Sequence, residues 1–281
     1  MTTTPASPVA ASATRGDTAM PNWRCIEGQR DGAVEWLTLS RPDKFNALCM
    51  DLAEDLYAYF GSLPQRQDVR VVVLQGAGKH FCAGFDLDDV DQLTASVEQG
   101  LRLQRLLSEV VVRMRRCPQP VVGLVQGAAC GGGMALALAC DIRFATPDTR
   151  MNVAMARIGL TGCDMGISYF LPRLVGAAVA AELMYTGRFI DAARALRVGL
   201  VNDVVDLAQL ADTGRALVDE MLAMSPVGLR LTKDGLAMAQ EASSLATVIS
   251  LEDRGQVMCF ESFMKEGIAA FREKRLPNYG A

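Results

Sequence analysis

Two segments hold backbone that could meet a ligand directly: Gly76-Ala77-Gly78-Lys79-His80-Phe81-Cys82-Ala83-Gly84-Phe85-Asp86-Leu87 and Gly127-Ala128-Ala129-Cys130-Gly131-Gly132-Gly133-Met134-Ala135. Each follows a β-branched run that reads as a buried strand. Three glycines at a helix start leave backbone N–H groups uncovered, and the helix dipole reinforces them. Ala83-Gly84 offers a second bare amide after a strand. Two such amides converging on one point would hold an oxyanion, as acyl-transfer and enolate chemistry requires. Taken singly, each cluster reads equally as a tight turn with close helix–strand packing. Nucleotide signatures fail. The dinucleotide fingerprint meets Leu136 and Phe81 where its third glycine belongs, and Lys79 precedes His80 where a phosphate loop needs Ser or Thr.

Other side chains could carry protons or act as nucleophiles. Asp164, in Gly159-Leu160-Thr161-Gly162-Cys163-Asp164-Met165-Gly166, reads either as a proton carrier beside an apolar pocket or as the N-cap of a helix starting near Met165. Asp86, Asp88 and Asp89 read as polar contacts or helix-start charges. His80 and Cys82 alternate on one side of a strand, the spacing of a nucleophilic pair, although packing suits the cysteine equally. The eight cysteines show no C-x-x-C spacing, and His80 is the one histidine, so neither a metal site nor disulfides are expected. Met134, Met151, Met155 and Met165 read as core filler or as the lining of an apolar acyl pocket.

The elements that must position these groups alternate. Strands are expected at 33–39, 69–74, 120–125, 141–145 and 201–205, with helices at 47–60, 96–116, 134–139, 177–187 and 191–198. From Leu207 onward the chain reads as helix. Alternation with crossovers implies an α/β core over 21–206, followed by a helical region over 207–281. Residues 1–20, rich in Ala, Ser, Thr and Pro, read as a disordered tail without secretory features, and Met20 is an alternative start. The 281 residues carry a net charge of −4, which offers no basic face for nucleic acid. No apolar run spans a bilayer. Free thiols and the absence of a leader point to the cytoplasm.

Four motifs carry a family resemblance. Arg41-Pro42-Asp43-Lys44-Phe45-Asn46-Ala47-Leu48, Phe81–Leu87, Gly127–Asp141 and Lys265–Arg275 occur in the order found in the crotonase (enoyl-CoA hydratase/isomerase) superfamily, and the likeness runs over 24–279. The resemblance implies a ClpP-like spiral of ββα turns followed by a helical trimerisation domain, an acyl-CoA or enoyl-CoA thioester as substrate, and a homotrimer or homohexamer. It implies no separate cofactor, since coenzyme A arrives as part of the substrate. By position it assigns the oxyanion amides to Ala83 and Gly132. It places Lys44, Phe45, Ala47, Gly84, Phe85 and Asp86 along the CoA moiety. Phe271 and Lys274 fall at its adenosine end, contributed by a neighbouring subunit.

The same resemblance exposes a departure. Hydratases of this family use two glutamates, and the matching positions here are Ala135 and Met155, neither of which can carry a proton. The segment holding Asp164 resembles the one in which dienoyl-CoA isomerases and the isomerase of phenylacetate degradation carry a catalytic aspartate. The implied activity is therefore migration of an enoyl-CoA double bond by Asp164. Hydration by another mechanism, or acyl-CoA binding without chemistry, are the alternatives.

Overall fold

The computed structural model describes residues 23–91 and 95–279. The tail expected over 1–20 lies outside them. The alternating residues of β2 (Val34–Leu39) pair in parallel with β3 (Val71–Gly76), which pairs with β4 (Val121–Val125). Next come β6 (Ile142–Ala145) and β9 (Asp203–Val204), again parallel. One strand absent from the sequence reading, β1 (Ile26–Asp31), closes the far edge antiparallel to β2. A parallel central strand is covered on both faces, and every residue of β4 is buried, as its unbroken apolar run predicts.

One face of this sheet packs on α1 (Met50–Ser62), α2 (Val97–Arg116) and α3 (Gly132–Ala139). α1 starts at Met50, not Ala47, because the Cys49 thiol caps it by accepting from the Leu52 N–H. The segment before it is needed elsewhere, as an extended stretch bridged to Phe85. α3 is buried along its whole length. Beyond it lie α4 (Ile167–Val175), α5 (Ala177–Thr186) and α6 (Ala192–Arg197), α4 being the helix expected to start near Met165.

A second, three-stranded sheet is made of β5 (Ala128–Cys130), β7 (Arg150–Asn152) and β8 (Ile190–Asp191). It is small, and it carries the glycine cluster. After β9 the chain is helical, as expected: α7 (Leu207–Leu222), α8 (Pro226–Glu241), α9 (Leu245–Ser262) and α10 (Met264–Glu273). The expected boundary at 207 nevertheless divides one packing unit. Leu210 and Val218 of α7 are buried with Val71, Val73, Val122 and Leu124 of the sheet, so α7 covers its second face. Among the described residues no helix is long and apolar enough to cross a membrane.

Candidate active site

The two glycine clusters meet through backbone. Cys82 N–H donates to the Ala128 carbonyl at 3.1 Å and the Cys82 carbonyl accepts from Cys130 N–H at 3.0 Å, a parallel bridge between residues 47 positions apart. At the end of that bridge Gly84 lies against Gly131. A Cβ on Gly84 would stand 2.9 Å from the Cys130 carbonyl oxygen and 4.0 Å from Gly131 Cα. Gly84 has φ +107° and Gly131 has φ 51° with ψ −117°, backbone that a side chain would strain.

Gly131 is also the N-cap of α3, and as glycine it offers no oxygen to the first turn. The N–H groups of Gly132, Gly133 and Met134 have no acceptor among the described residues. Gly132 thus keeps an unengaged amide. The expectation for Ala83 is corrected: its N–H already donates to the Phe45 carbonyl at 3.0 Å. The next alternate amide is free instead. Leu48 N–H donates to the Gly84 carbonyl at 2.7 Å and Asp86 N–H to the Leu48 carbonyl at 2.8 Å, which turns the intervening Phe85 N–H away from the 45–48 segment. No acceptor for it occurs among the described residues. A regular strand would send the Ala83 and Phe85 amides to the same edge; the left-handed Gly84 between them breaks that alternation. The Phe85 and Gly132 amides therefore each follow one of the two touching glycines.

The 41–48 segment is braced by Arg41, the first residue of the opening motif. Its guanidinium donates to the Ala47 carbonyl and to Asp86 at 2.9 Å. Burial alone would raise the Asp86 carboxyl, but the bonds from Arg41 and the Asp88 N–H, with the charges of Arg41 and Lys44, together outweigh it and hold the group below its usual range. Phe45 and Asn46 are both left-handed, with φ 51° and 55°. The fully buried Asn46 side chain fixes that turn, accepting from Arg41 N–H and donating to the carbonyls of Ala77 and His80. Its effect is to present Lys44 and an exposed Phe45 ring at the mouth, with Ala47 buried behind. Lys44 is paired with Asp88 at 2.6 Å. Phe271 and Lys274 sit at the exposed end of α10, Lys274 as its left-handed C-cap, on a helix that packs against α9.

The Cys–His pair is not made. Burial pushes the Cys82 thiol up to about 12, and the His80 Nδ1 accepts the Ala128 N–H at 3.1 Å while Phe45 packs edge-on against the ring. Burial lowers the His80 pKa, Lys79 and Arg150 act in the same sense, and Asp148 opposes them. A depressed folded value means that the unfolded chain takes up a proton the folded chain resists. The stability from neutral His80 is full above 6.5 and is lost as pH falls through that value toward the folded one. The melting temperature should accordingly drop between about pH 7.5 and about pH 5.5. His80→Asn, which can accept the same N–H without titrating, should show a smaller drop. Equal drops in both proteins would refute this account.

Asp164 does not cap a helix with its side chain. The N-cap of α4 is Gly166, and Asp164 contributes only its backbone carbonyl, to Ile167 N–H at 2.8 Å. The carboxylate, half-buried, is held instead by the Gln104 amide of α2. Met165 and Gly166 follow with φ 44° and 83°, two left-handed residues in a row. This turn brings Met165 to the glycine cluster: a Cβ on Gly132 would lie 3.3 Å from its sulfur and 2.5 Å from Leu48 Cδ1. A Cβ on Gly131 would lie 3.5 Å from Ala154 Cβ and 4.0 Å from Met155 Cε. The walls around the free Gly132 amide are thus apolar, and Asp164 is joined to one of them. Met134, Met151, Met155 and Met165 are all buried.

Comparison with known proteins matches this arrangement to one group. Residues 29–281 fit the family model described as enoyl-CoA hydratase/isomerase. The probable enoyl-CoA hydratase EchA12 of Mycobacterium tuberculosis is 38% identical over 252 residues, covering 87% of this chain and 88% of that protein. The 1,2-epoxyphenylacetyl-CoA isomerase of Escherichia coli is 33% identical over 249 residues, covering 88% and 94%. A crystal structure of a putative enoyl-CoA hydratase from Streptomyces coelicolor superposes with a TM-score of 0.88 at 34% identity, over 98% of this chain and 99% of that one. The α/β core with its helical C-terminal region is the crotonase fold, and the chain belongs to the enoyl-CoA hydratase/isomerase family.

Proposed function

We propose that this protein moves a double bond in an enoyl-CoA by proton transfer through Asp164. The thioester oxygen is held by the amides of Gly132 and Phe85, the latter in place of Ala83. The observation that carries the reading is an unengaged Gly132 amide walled by Met165, the residue that follows Asp164. The positions that the resemblance reserves for glutamates hold Ala135 and Met155, both buried and apolar. Isomerisation needs one group that takes a proton at one carbon and returns it at another, whereas hydration needs a second to activate water. The likeness to a relative named as an isomerase supports the same reading. In this reading the CoA moiety lies along Lys44, Phe45, Ala47, Gly84, Phe85 and Asp86. The chain works in the cytoplasm as a homotrimer or homohexamer, with Phe271 and Lys274 presented to a neighbouring copy.

The test compares wild type with Asp164→Asn on 3-enoyl-CoA and 2-enoyl-CoA of graded chain length. Interconversion by wild type, reduced at least about 10²-fold in the variant, is the expected result. Hydration of a 2-enoyl-CoA by both proteins would replace isomerase by hydratase. Tight binding of acyl-CoA with no turnover of any enoyl-CoA would leave a binding protein.

A further inference from the structure

We propose that Gln104 is the positioning residue of the proton carrier: it fixes the Asp164 carboxylate so that one oxygen both removes and returns the proton. This rests on the reading of Asp164 given above. Gln104 lies two turns into α2, sixty positions before Asp164, and its Nε2–H donates to Oδ1 of that carboxylate. The backbone on the Asp164 side is fixed independently, by the Ile167 N–H bond to its carbonyl and by the left-handed Met165 and Gly166. What remains free is rotation about Cβ–Cγ, and the Gln104 bond restrains it. With Oδ1 taken, the basic lone pairs open to a substrate are those of Oδ2.

The consequence follows from the chemistry of migration. The C2–H bond of a 3-enoyl thioester breaks, its proton forms an O–H bond on Oδ2, and the electron pair spreads into a dienolate whose oxygen meets the Phe85 and Gly132 amides. The O–H bond then breaks as a C4–H bond forms, leaving the double bond between C2 and C3. No oxidant or water is consumed. Between the two transfers the protonated carboxyl must not turn, or the proton is exchanged with solvent before return. A carboxamide donor from a buried-face helix supplies that restraint without adding a charge that would compete with the dienolate.

Gln104→Leu removes the donor and keeps a helix-favouring side chain of comparable bulk. Expected is a fall in kcat of about 10-fold with KM within about twofold, since the CoA contacts are untouched. In D2O, the deuterium incorporated at C4 per turnover should rise above the wild-type level. Gln104→Glu, isosteric but anionic, should lose more in kcat than the leucine variant, because it turns a donor into a repelling carboxylate. Unchanged kcat and deuterium content in Gln104→Leu would overturn the proposal. So would a parallel loss of kcat and rise in KM with no added deuterium, the mark of general damage to the pocket. Full activity in Asp164→Asn would instead remove the reading on which the proposal rests, and that outcome is read from a different variant.

Discussion

Gly132→Ala should fold nearly as the wild type does and lose about 10³-fold in kcat. The backbone at 132 is ordinary helix, so alanine brings no strain there. Its Cβ would meet the Cδ1 of Leu48 at 2.5 Å and the sulfur of Met165 at 3.3 Å, both ends of flexible side chains that can rotate aside. The fold is therefore preserved while the site is altered twice over. The added methyl and the displaced Leu48 occupy space in front of the Gly132 amide, which keeps the thioester oxygen from its donor. The push on Met165 also moves the residue attached to Asp164. Loss of one oxyanion donor costs about 10²–10³ in kcat, and displacement of a reacting group by about 1 Å adds about 10². The two effects share one cause and do not multiply in full. Circular dichroism and thermal melting against wild type, with kcat on the isomerised enoyl-CoA, decide it. Wild-type turnover in a well-folded Gly132→Ala would remove this amide from the mechanism.

What the sequence made legible, and what it hid, divides along the same chemistry. Runs such as Val69–Leu74 and 207–281 announce themselves because burial and period are written in residue type. The strands β5, β7 and β8 do not, since two or three residues are too few to show alternation. Yet that small sheet is what presents Gly131 to Gly84. The glycine at 132 was identifiable from the three-glycine helix start, where no side chain covers the amides. The choice between Ala83 and Phe85 was not, because it depends on φ at Gly84, which a glycine leaves open. For Asp164 the residue was visible and its partner was not: Gln104 is an ordinary polar residue in a helix, and only the packing of α2 beside the 164–166 turn gives it a role. Lys233 is a parallel case. This lysine is buried, donating to the carbonyls of Met114 and Gln119 and pairing with Asp141 at 3.0 Å, so that α8 is tied to the end of α2.

Gly133→Ala, one residue along, should have the opposite outcome: a stability loss of about 3 kcal/mol, with the activity of the remaining folded fraction secondary. A Cβ at 133 would overlap the Cys82 carbonyl oxygen and come within 2.8 Å of its carbonyl carbon. These are backbone atoms of the strand bridge, and they cannot rotate away. To admit one methyl the two segments must part, and the carbonyl that would move is the acceptor of the Cys130 N–H. Parting them strains the Cys82–Ala128 bond as well and separates Gly84 from Gly131, the residues that precede the Phe85 and Gly132 amides. All eight residues of α3 are buried, so the helix has no solvent side toward which to shift. For a chain of this size the loss corresponds to about 5 °C in melting temperature. Chemical denaturation, with the midpoint compared at unchanged slope, gives the free energy directly. The contrast with Gly132→Ala is the informative part, because both variants add the same methyl to the same helix turn. If Gly133→Ala melts with wild type, the backbone contact between the two clusters is not what holds the site together. If it melts early while Gly132→Ala does not, the first glycine serves the chemistry and the second serves the join.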